Sequence, residues 1–482
     1  MTAASPGPLV RAIHADRYRE PTPPMSNPGE ANTTPIANTR QLADYIAQGC
    51  KPRDAYRIGT EHEKFGFVRA TLAPPPYEPD GIRAVLAGLA GPDWSPILDH
   101  GHPIGLKGTG PQNGASVSLE PAGQLELSGG LATTLHETAA EMHAHLAAVR
   151  TVAGPLGLGF APLGFHPTAT RDAMPWMPKT RYGIMRRYMP KVGSMGLDMM
   201  TRTCTVQVNL DYSSEADMVQ KLRVSLALQP VATALFANSP FREGRPSGFL
   251  STRAHVWTDV DNARSGMPAA FFAHDFGFER YVDWLLDVPM YFIERSGAYQ
   301  DRAGASFRAY MAGDLPGQVG PATLSDFGDH MTTAFTDVRI KQFLEMRGAD
   351  AGSPAMMLGQ SALWTGLLYD DAALAAAAAL VRRAPWADYQ ALRAGVPAQG
   401  LAAPWGAGTA RDLAQEMVAI AQDGLRARAR VNATGADETI YLEPLHAIAA
   451  GEPTQAETWL TRYHGPWKGD VSQIFQEAER AN

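Results

Sequence analysis

The sequence predicts an α+β fold in which a mainly antiparallel sheet carries the chemistry and helices cover it. Residues 58–67, 116–128, 203–211 and 338–347 alternate polar and apolar side chains with the period of two of a strand. Within the second segment, Pro121-Ala122-Gly123 is a short connection of the kind that joins antiparallel hairpin strands. Beyond about Ser353 the composition turns to Ala, Leu, Gln, Glu and Arg, which predicts a helical remainder running to Asn482.

A chain of 482 residues with 45% hydrophobic and 19% charged side chains can bury a large core. The net charge of −7 excludes a general nucleic-acid binder, which carries a basic stripe, and any anionic substrate must be drawn in by local arginines, lysines or metal ions. Cys50 and Cys204 lie far apart, neither a disulfide framework nor a zinc site, and suit a reducing compartment. No apolar run approaches the roughly 18 residues of a membrane span, and the N-terminus lacks the pattern of a signal peptide. The expectation is a cytoplasmic protein with no membrane or nucleic-acid partner. Residues 1–37, rich in Pro, Ser, Asn and Thr, read as a mobile extension. The remainder, 38–482, reads as one catalytic domain.

A first helix is predicted from about Arg40 to Gly49, where Leu42, Tyr45 and Ile46 recur at helical spacing. Arg57 to Phe67 follows as a strand, and a Pro-rich turn (Pro74-Pro75-Pro76) separates it from a helix near Gly81 to Leu89. Ser116 to Ser128 reads as a hairpin that sets Glu120 opposite Gln124 and leaves Glu126 on the same polar face. Helices are expected over about 131–152 and 215–235, with a loop containing one short helix and rich in Lys, Arg, Met and Tyr at 174–196. Another loop covers 238–266. Val338 to Arg347 reads as a single strand.

The polar faces of these strands share one unusual feature. Glu61 and Glu63 fall on one face, and the other segments offer Glu120, Glu126 and Glu345, with Gln207 and Asn209 as neutral oxygen donors. An isolated Glu-x-Glu is ordinarily surface charge, but solvated faces mix Lys, Thr and Ser more often than they repeat Glu. Carboxylates crowded on one sheet face cannot all stay ionised without cations. Hard divalent ions with oxygen ligands meet that need, and magnesium takes a few carboxylates together with phosphate oxygens. Arg347 and Lys341 lie on the same faces and suit phosphate charge, whereas parity sets Lys64 apart. There is no Walker-type phosphate loop: Gly105 to Gly110, which includes Lys107, is glycine-rich but lacks its spacing. Cys204 falls on an apolar face and reads as a buried thiol.

Arg57 to Phe67 (RIGTEHEKFGF), Leu119 to Gly129 (LEPAGQLELSG), Tyr188 to Met200 (YMPKVGSMGLDMM), Arg202 to Glu215 (RTCTVQVNLDYSSE) and Leu344 to Asp350 (LEMRGAD) resemble the plant-type glutamate–cysteine ligases, a family also found in proteobacteria. The resemblance spans roughly residues 38–480. It implies a fold similar to the catalytic domain of glutamine synthetase, a curved, mainly antiparallel sheet forming a funnel surrounded by helices. It implies ATP-dependent formation of γ-glutamylcysteine through phosphorylation of the glutamate γ-carboxylate, with L-glutamate, L-cysteine and ATP as substrates and roughly two or three magnesium ions per site.

By position in the matching motifs, Glu61, Glu63, Glu120, Glu126, Glu345 and Gln207 are expected to hold the metal, with Glu61 and Glu63 serving different ions. Arg181, Arg253 and Tyr291 are expected to grip glutamate. Arg347, Lys341 and Lys107 are expected to meet the phosphates, and Glu63, Arg347 and Arg253 to act on the reacting groups. The resemblance also suggests feedback by glutathione at the glutamate site, in a monomer or homodimer. The chain departs from the plant enzymes in lacking their cysteine pairs: Ala139 stands where one is expected, and the pair expected near Arg302 and Gly317 is missing, which removes the plant kind of disulfide activation. The alternative is a related ligase that joins glutamate to a different amine.

Overall fold

The computed structural model describes residues 32–295, 297–318 and 320–481. Its centre is β1 (Ile58–Val68), an 11-residue strand in which every residue but the last is buried. Around it lie β2 (Trp94–Asp99), β3 (His102–Gly108), β4 (Ser116–Leu119), β5 (Leu125–Ser128), β6 (Leu158–Ala161), β7 (Thr205–Leu210), β8 (Val338–Ile340) and β9 (Leu344–Asp350). The nine-stranded sheet runs β8-β9-β7-β1-β5-β4-β3-β2, with β6 paired to the far half of β1. Every pairing in it is antiparallel. The antiparallel sheet and the helical chain beyond Ser353 are those read from the sequence.

The alternation in the sequence carries directly into register. Glu63 stands opposite Glu126, Glu61 opposite Ser128 and Gln207, and Glu345 opposite Asn209, so these side chains share one face. The other face is buried as well. Val206, Val208, Leu210, Leu344 and Met346 pack with helices Glu215–Leu235 and Pro354–Leu368 in the largest hydrophobic cluster. Under the far half of the sheet, Leu106, Val117, Leu119, Leu125 and Leu127 meet helices Ile82–Leu89 and Leu135–Ala153. The final helix, Gln473–Arg480, closes the end at β6, where the rings of Phe475 and Phe67 lie 5.0 Å apart.

Several expectations are corrected. Residues 338–347 form a hairpin rather than one strand, because β8 turns at Lys341 to Phe343 and pairs Arg339 with Glu345. Strands β2, β3 and β6 escape the alternation test: β2 and β3 are interrupted by Pro96, Pro103, Gly105 and Gly108, and β6 is only 4 residues long and buried throughout. The extension assigned to 1–37 lies outside the described residues up to position 31. Residues 32–37 are tied down: Leu324 N donates to Thr34 O at 3.0 Å, and Ile36 N donates to Ala322 O at 2.8 Å. No single described helix is long and apolar enough to cross a membrane.

Helices Pro354–Leu368 and Ala410–Arg428 touch through glycines. A Cβ on Gly366 would stand 2.2 Å from Ala421 O, and one on Gly424 would stand 1.9 Å from Gly366 O. Gly366→Ala is therefore expected to destabilise the fold by about 1–3 kcal/mol through overpacking. Gly183→Ala, whose Cβ meets only the Arg187 side chain at 3.6 Å, should be neutral or mildly stabilising, by up to about 1 kcal/mol. Denaturant unfolding of the two variants checks the contrast.

Candidate active site

The carboxylate face of the sheet forms one wall of a cavity of about 1920 Å³. Glu61, Glu63, Glu120, Glu126, Gln207 and Glu345 line it, with Arg181, Arg253, Lys341 and Arg347. Strands β1, β5, β7 and β9, far apart in the sequence, bring Glu61, Glu63, Glu126, Gln207 and Glu345 together here because one sheet register aligns them.

Charge is distributed unevenly along this wall. Glu61 accepts hydrogen bonds from Gln207 Nε2 at 3.1 Å and Asn209 Nδ2 at 2.8 Å, both neutral donors. Glu126 accepts from Ser118 Oγ at 2.7 Å, and Glu63 accepts from the Thr205 amide at 3.0 Å. Tyr182 OH donates to Glu120 at 3.1 Å. Burial, reinforced by Glu345 and Glu126, pushes the Glu61 carboxyl up to about 8. Burial and neighbouring carboxylates likewise push Glu63 well up, and raise Glu126.

Glu345 is the opposite case. Burial alone would push it up, yet Arg339, Lys341 and Arg347 hold it well below the usual carboxylate range. Arg339 grips it with both Nε and Nη2, the second at 2.9 Å, while Arg347 Nη1 lies 3.3 Å and Lys341 Nζ 3.6 Å away. Among the carboxylates expected to hold metal, Glu345 thus stands apart in having three cations beside it. Gln207 likewise has a cation beside it, since its Oε1 accepts from Arg347 Nη1.

Arg253 and Arg181 are held from behind. Arg253 is 3% exposed and sits on helix Thr252–Val256, whose cap Ser251 donates to Asp350 Oδ1 at 2.8 Å. Its Nη2 donates to Arg347 O at 2.7 Å, and its Nε has no partner among the described residues. Arg181 occupies the first turn of helix Thr180–Tyr188, anchored where Asp99 accepts from Thr180 N at 2.6 Å and Thr180 Oγ1 at 2.8 Å.

Two residues do not join the site as expected. Tyr291 is fully buried, with its hydroxyl donating to Asp261 at 3.3 Å and the Arg264 guanidinium over its ring at 4.0 Å; it does not line the cavity. Lys107 is exposed on β3 and also lies outside the lining. Lys64 falls on the back of the sheet, as parity requires, with Nζ 2.8 Å from His62 Nδ1.

The sequence reading assigned no task to Arg339, Lys179 or Asp329, all of which line the cavity. Lys179 Nζ donates to Leu119 O at 3.2 Å, and burial beside Arg181 draws its ammonium down to about 7. Burial pushes Asp329 up to about 6. Only Arg339 carried a usable signal, its mirror placement to Glu345 about a tight turn.

Among the described residues, no three His, Cys, Asp or Glu side chains already form a metal site. The donor set nevertheless fits a hard cation in kind: Glu61, Glu63, Glu120 and Glu126 present oxygens only, and burial disfavours the charged forms of Glu61, Glu63 and Glu126.

These shifts set a pH dependence. Between the ordinary 4.5 and about 8, folded Glu61 keeps a proton that the unfolded chain has released. Its contribution to stability is therefore complete at low pH and is lost as pH rises through that window. In the absence of divalent cations, the melting temperature of the protein should fall more steeply between pH 5 and 8 than that of Glu61→Gln, as thermal melts at several pH values would measure.

Residues 57–477 match the family model described as glutamate-cysteine ligase family 2. Glutamate–cysteine ligase B, chloroplastic, of Oryza sativa subsp. japonica is 49% identical over 447 residues, covering 92% of this chain and 88% of that protein. The chloroplastic glutamate–cysteine ligase of Arabidopsis thaliana is 48% identical, covering 92% of this chain and 83% of that protein. The crystal structure of the Francisella tularensis glutamate–cysteine ligase in complex with AMP shares the fold at a TM-score of 0.54, with 11% identity and 88% of each chain covered. With β1, the hairpin β4–β5, β7 and β9 all inside the matched span, the chain belongs to the glutamate–cysteine ligase family.

Proposed function

We propose that the cavity joins the γ-carboxylate of L-glutamate to the amine of L-cysteine at the expense of ATP, the first step of glutathione synthesis. The observation that carries this reading is the division of one wall into an acidic half, where burial outweighs nearby cations and raises Glu61 and Glu63, and a cationic half in which Arg339, Lys341 and Arg347 surround Glu345. Joining a carboxylate to a triphosphate brings two anions together. Their repulsion must be offset locally, in a site shielded from water.

Arg253 and Arg181 are suited to hold the α-carboxylate of glutamate. A guanidinium fork matches a carboxylate, and both arginines line the cavity. Arg347 and Lys341 are suited to the phosphate oxygens. The γ-carboxylate oxygen attacks the terminal phosphorus of ATP, and ADP leaves. The cysteine amine then attacks the acyl carbon, phosphate departs and the amine gives up a proton. Glu61, Glu63, Glu120 and Glu126 would hold magnesium, which when bound neutralises phosphate and carboxylate charge. Glutathione carries the same γ-glutamyl group as the product and would compete at the glutamate end. Free Cys50 and Cys204 suit a reducing compartment, and we place the enzyme in the cytoplasm.

Phosphate release with ATP, magnesium, glutamate and a panel of amines tests the assignment. Cysteine should be the best acceptor; 2-aminobutyrate or alanine serving equally well would favour a ligase of different amine specificity. Glu63→Gln should lose several kcal/mol of transition-state charge stabilisation, about a hundredfold or more in kcat, and turnover should also stop on chelation of divalent cations. Unchanged product formation by Glu63→Gln would contradict its metal role.

A further inference from the structure

Arg347 sits in a β-bulge. The register of β9 against β7 slips between Met346 and Ala349, and such a slip leaves a residue outside the ladder. A small cavity of about 40 Å³ lies against Arg347 and Gly348 on the side of Asp337 and Arg393. Close packing therefore does not complete the support of this segment, and hydrogen bonds must.

Those bonds can be followed group by group. Arg347 O accepts from Arg253 Nη2 at 2.7 Å and from Thr205 Oγ1 at 3.3 Å, and Gly348 O accepts from Thr233 Oγ1 at 2.9 Å. The Arg347 amide donates to Asp337 O at 3.1 Å. Asp337 precedes β8, and its carboxylate is taken by both prongs of Arg393 on helix Trp386–Gln399, Nη2 at 3.0 Å and Nε at 2.5 Å. The two side chains are 20% and 16% exposed, and neither residue lines the large cavity.

We propose that Arg393 and Asp337 are positioning residues for the ligase reaction. Their ion pair pins the Asp337 carbonyl. That carbonyl holds the bulge, so the Arg347 guanidinium points at the phosphates and the Arg347 carbonyl keeps Arg253 in place. The C-terminal helical part thereby sets the geometry of the two arginines that bring the anions together. The inference rests on the phosphate task assigned to Arg347 above.

Arg393→Gln removes the fork, and Arg393→Lys keeps the charge while losing two-pronged geometry. Arg393→Gln is expected to lower kcat about tenfold with a raised KM for ATP, and Arg393→Lys to recover part of that loss. In an Arg347→Lys background, the same Arg393→Gln change should cost clearly less than in the wild type, because one of the two guanidinium groups it positions is already gone. Amide exchange over 346–349 should quicken about tenfold in Arg393→Gln while the core of β1 exchanges as before.

Unchanged exchange over 346–349, an equal rise throughout the sheet, or losses that multiply in the double variant would each overturn the proposal. Should Arg393→Gln not fold, Arg393→Lys and Asp337→Asn report the same quantities. A wild-type enzyme that makes no γ-glutamyl product would overturn the ligase reading, and the exchange measurement would still decide whether the ion pair holds the bulge.

Discussion

Repulsion between buried carboxylates on one sheet face is the constraint on which the site depends. Register sets Glu63 directly opposite Glu126 and leaves Glu61 two residues along the same strand. Residues so paired stand about 4.5–5.5 Å apart at Cβ, a distance at which like charges in a poorly solvated wall are costly. Neutral donors satisfy their hydrogen bonds without supplying charge, as Gln207 and Asn209 do for Glu61. The acidic half is therefore kept short of positive charge, a state relieved by protons or by a cation.

The other half of the wall resolves the same problem differently. Glu345 is gripped by Arg339, its partner across the hairpin, and Lys341 and Arg347 add further positive charge. The result is a cluster with more cations than anions, suited to phosphate. A single sheet thus has a cation-rich end and a carboxylate-rich end, and Arg253 donates to the Arg347 carbonyl at the first of them. Carboxylates at strand ends supply the rigidity: Asp350 of β9 holds the Ser251 cap, and Asp99 of β2 anchors the helix of Arg181.

Much of this was legible in the sequence because strand parity survives folding. Glu61, Glu63, Glu126 and Gln207 reach one face for the same reason that they alternate with apolar neighbours. Lys64 falls behind the sheet by the same rule. Parity says nothing about where a strand turns, so reading 338–347 as one strand hides the Arg339–Glu345 pair and makes Glu345 look like a free ligand. Resemblance places Tyr291 in a motif but not its ring, which packs inward against Arg264. Strands broken by proline and glycine, such as β2 and β3, leave no periodic trace.

The central claim is that the raised carboxyls of Glu61, Glu63 and Glu126 are relieved by a bound divalent cation, which displaces the proton of Glu61. Titration calorimetry of magnesium into the wild-type enzyme with a non-hydrolysable ATP analogue, in two buffers of different ionisation enthalpy, counts the protons exchanged. The account predicts net proton release at pH 7, diminished in Glu61→Gln. Binding with no proton release, or with the same release in that variant, would contradict it.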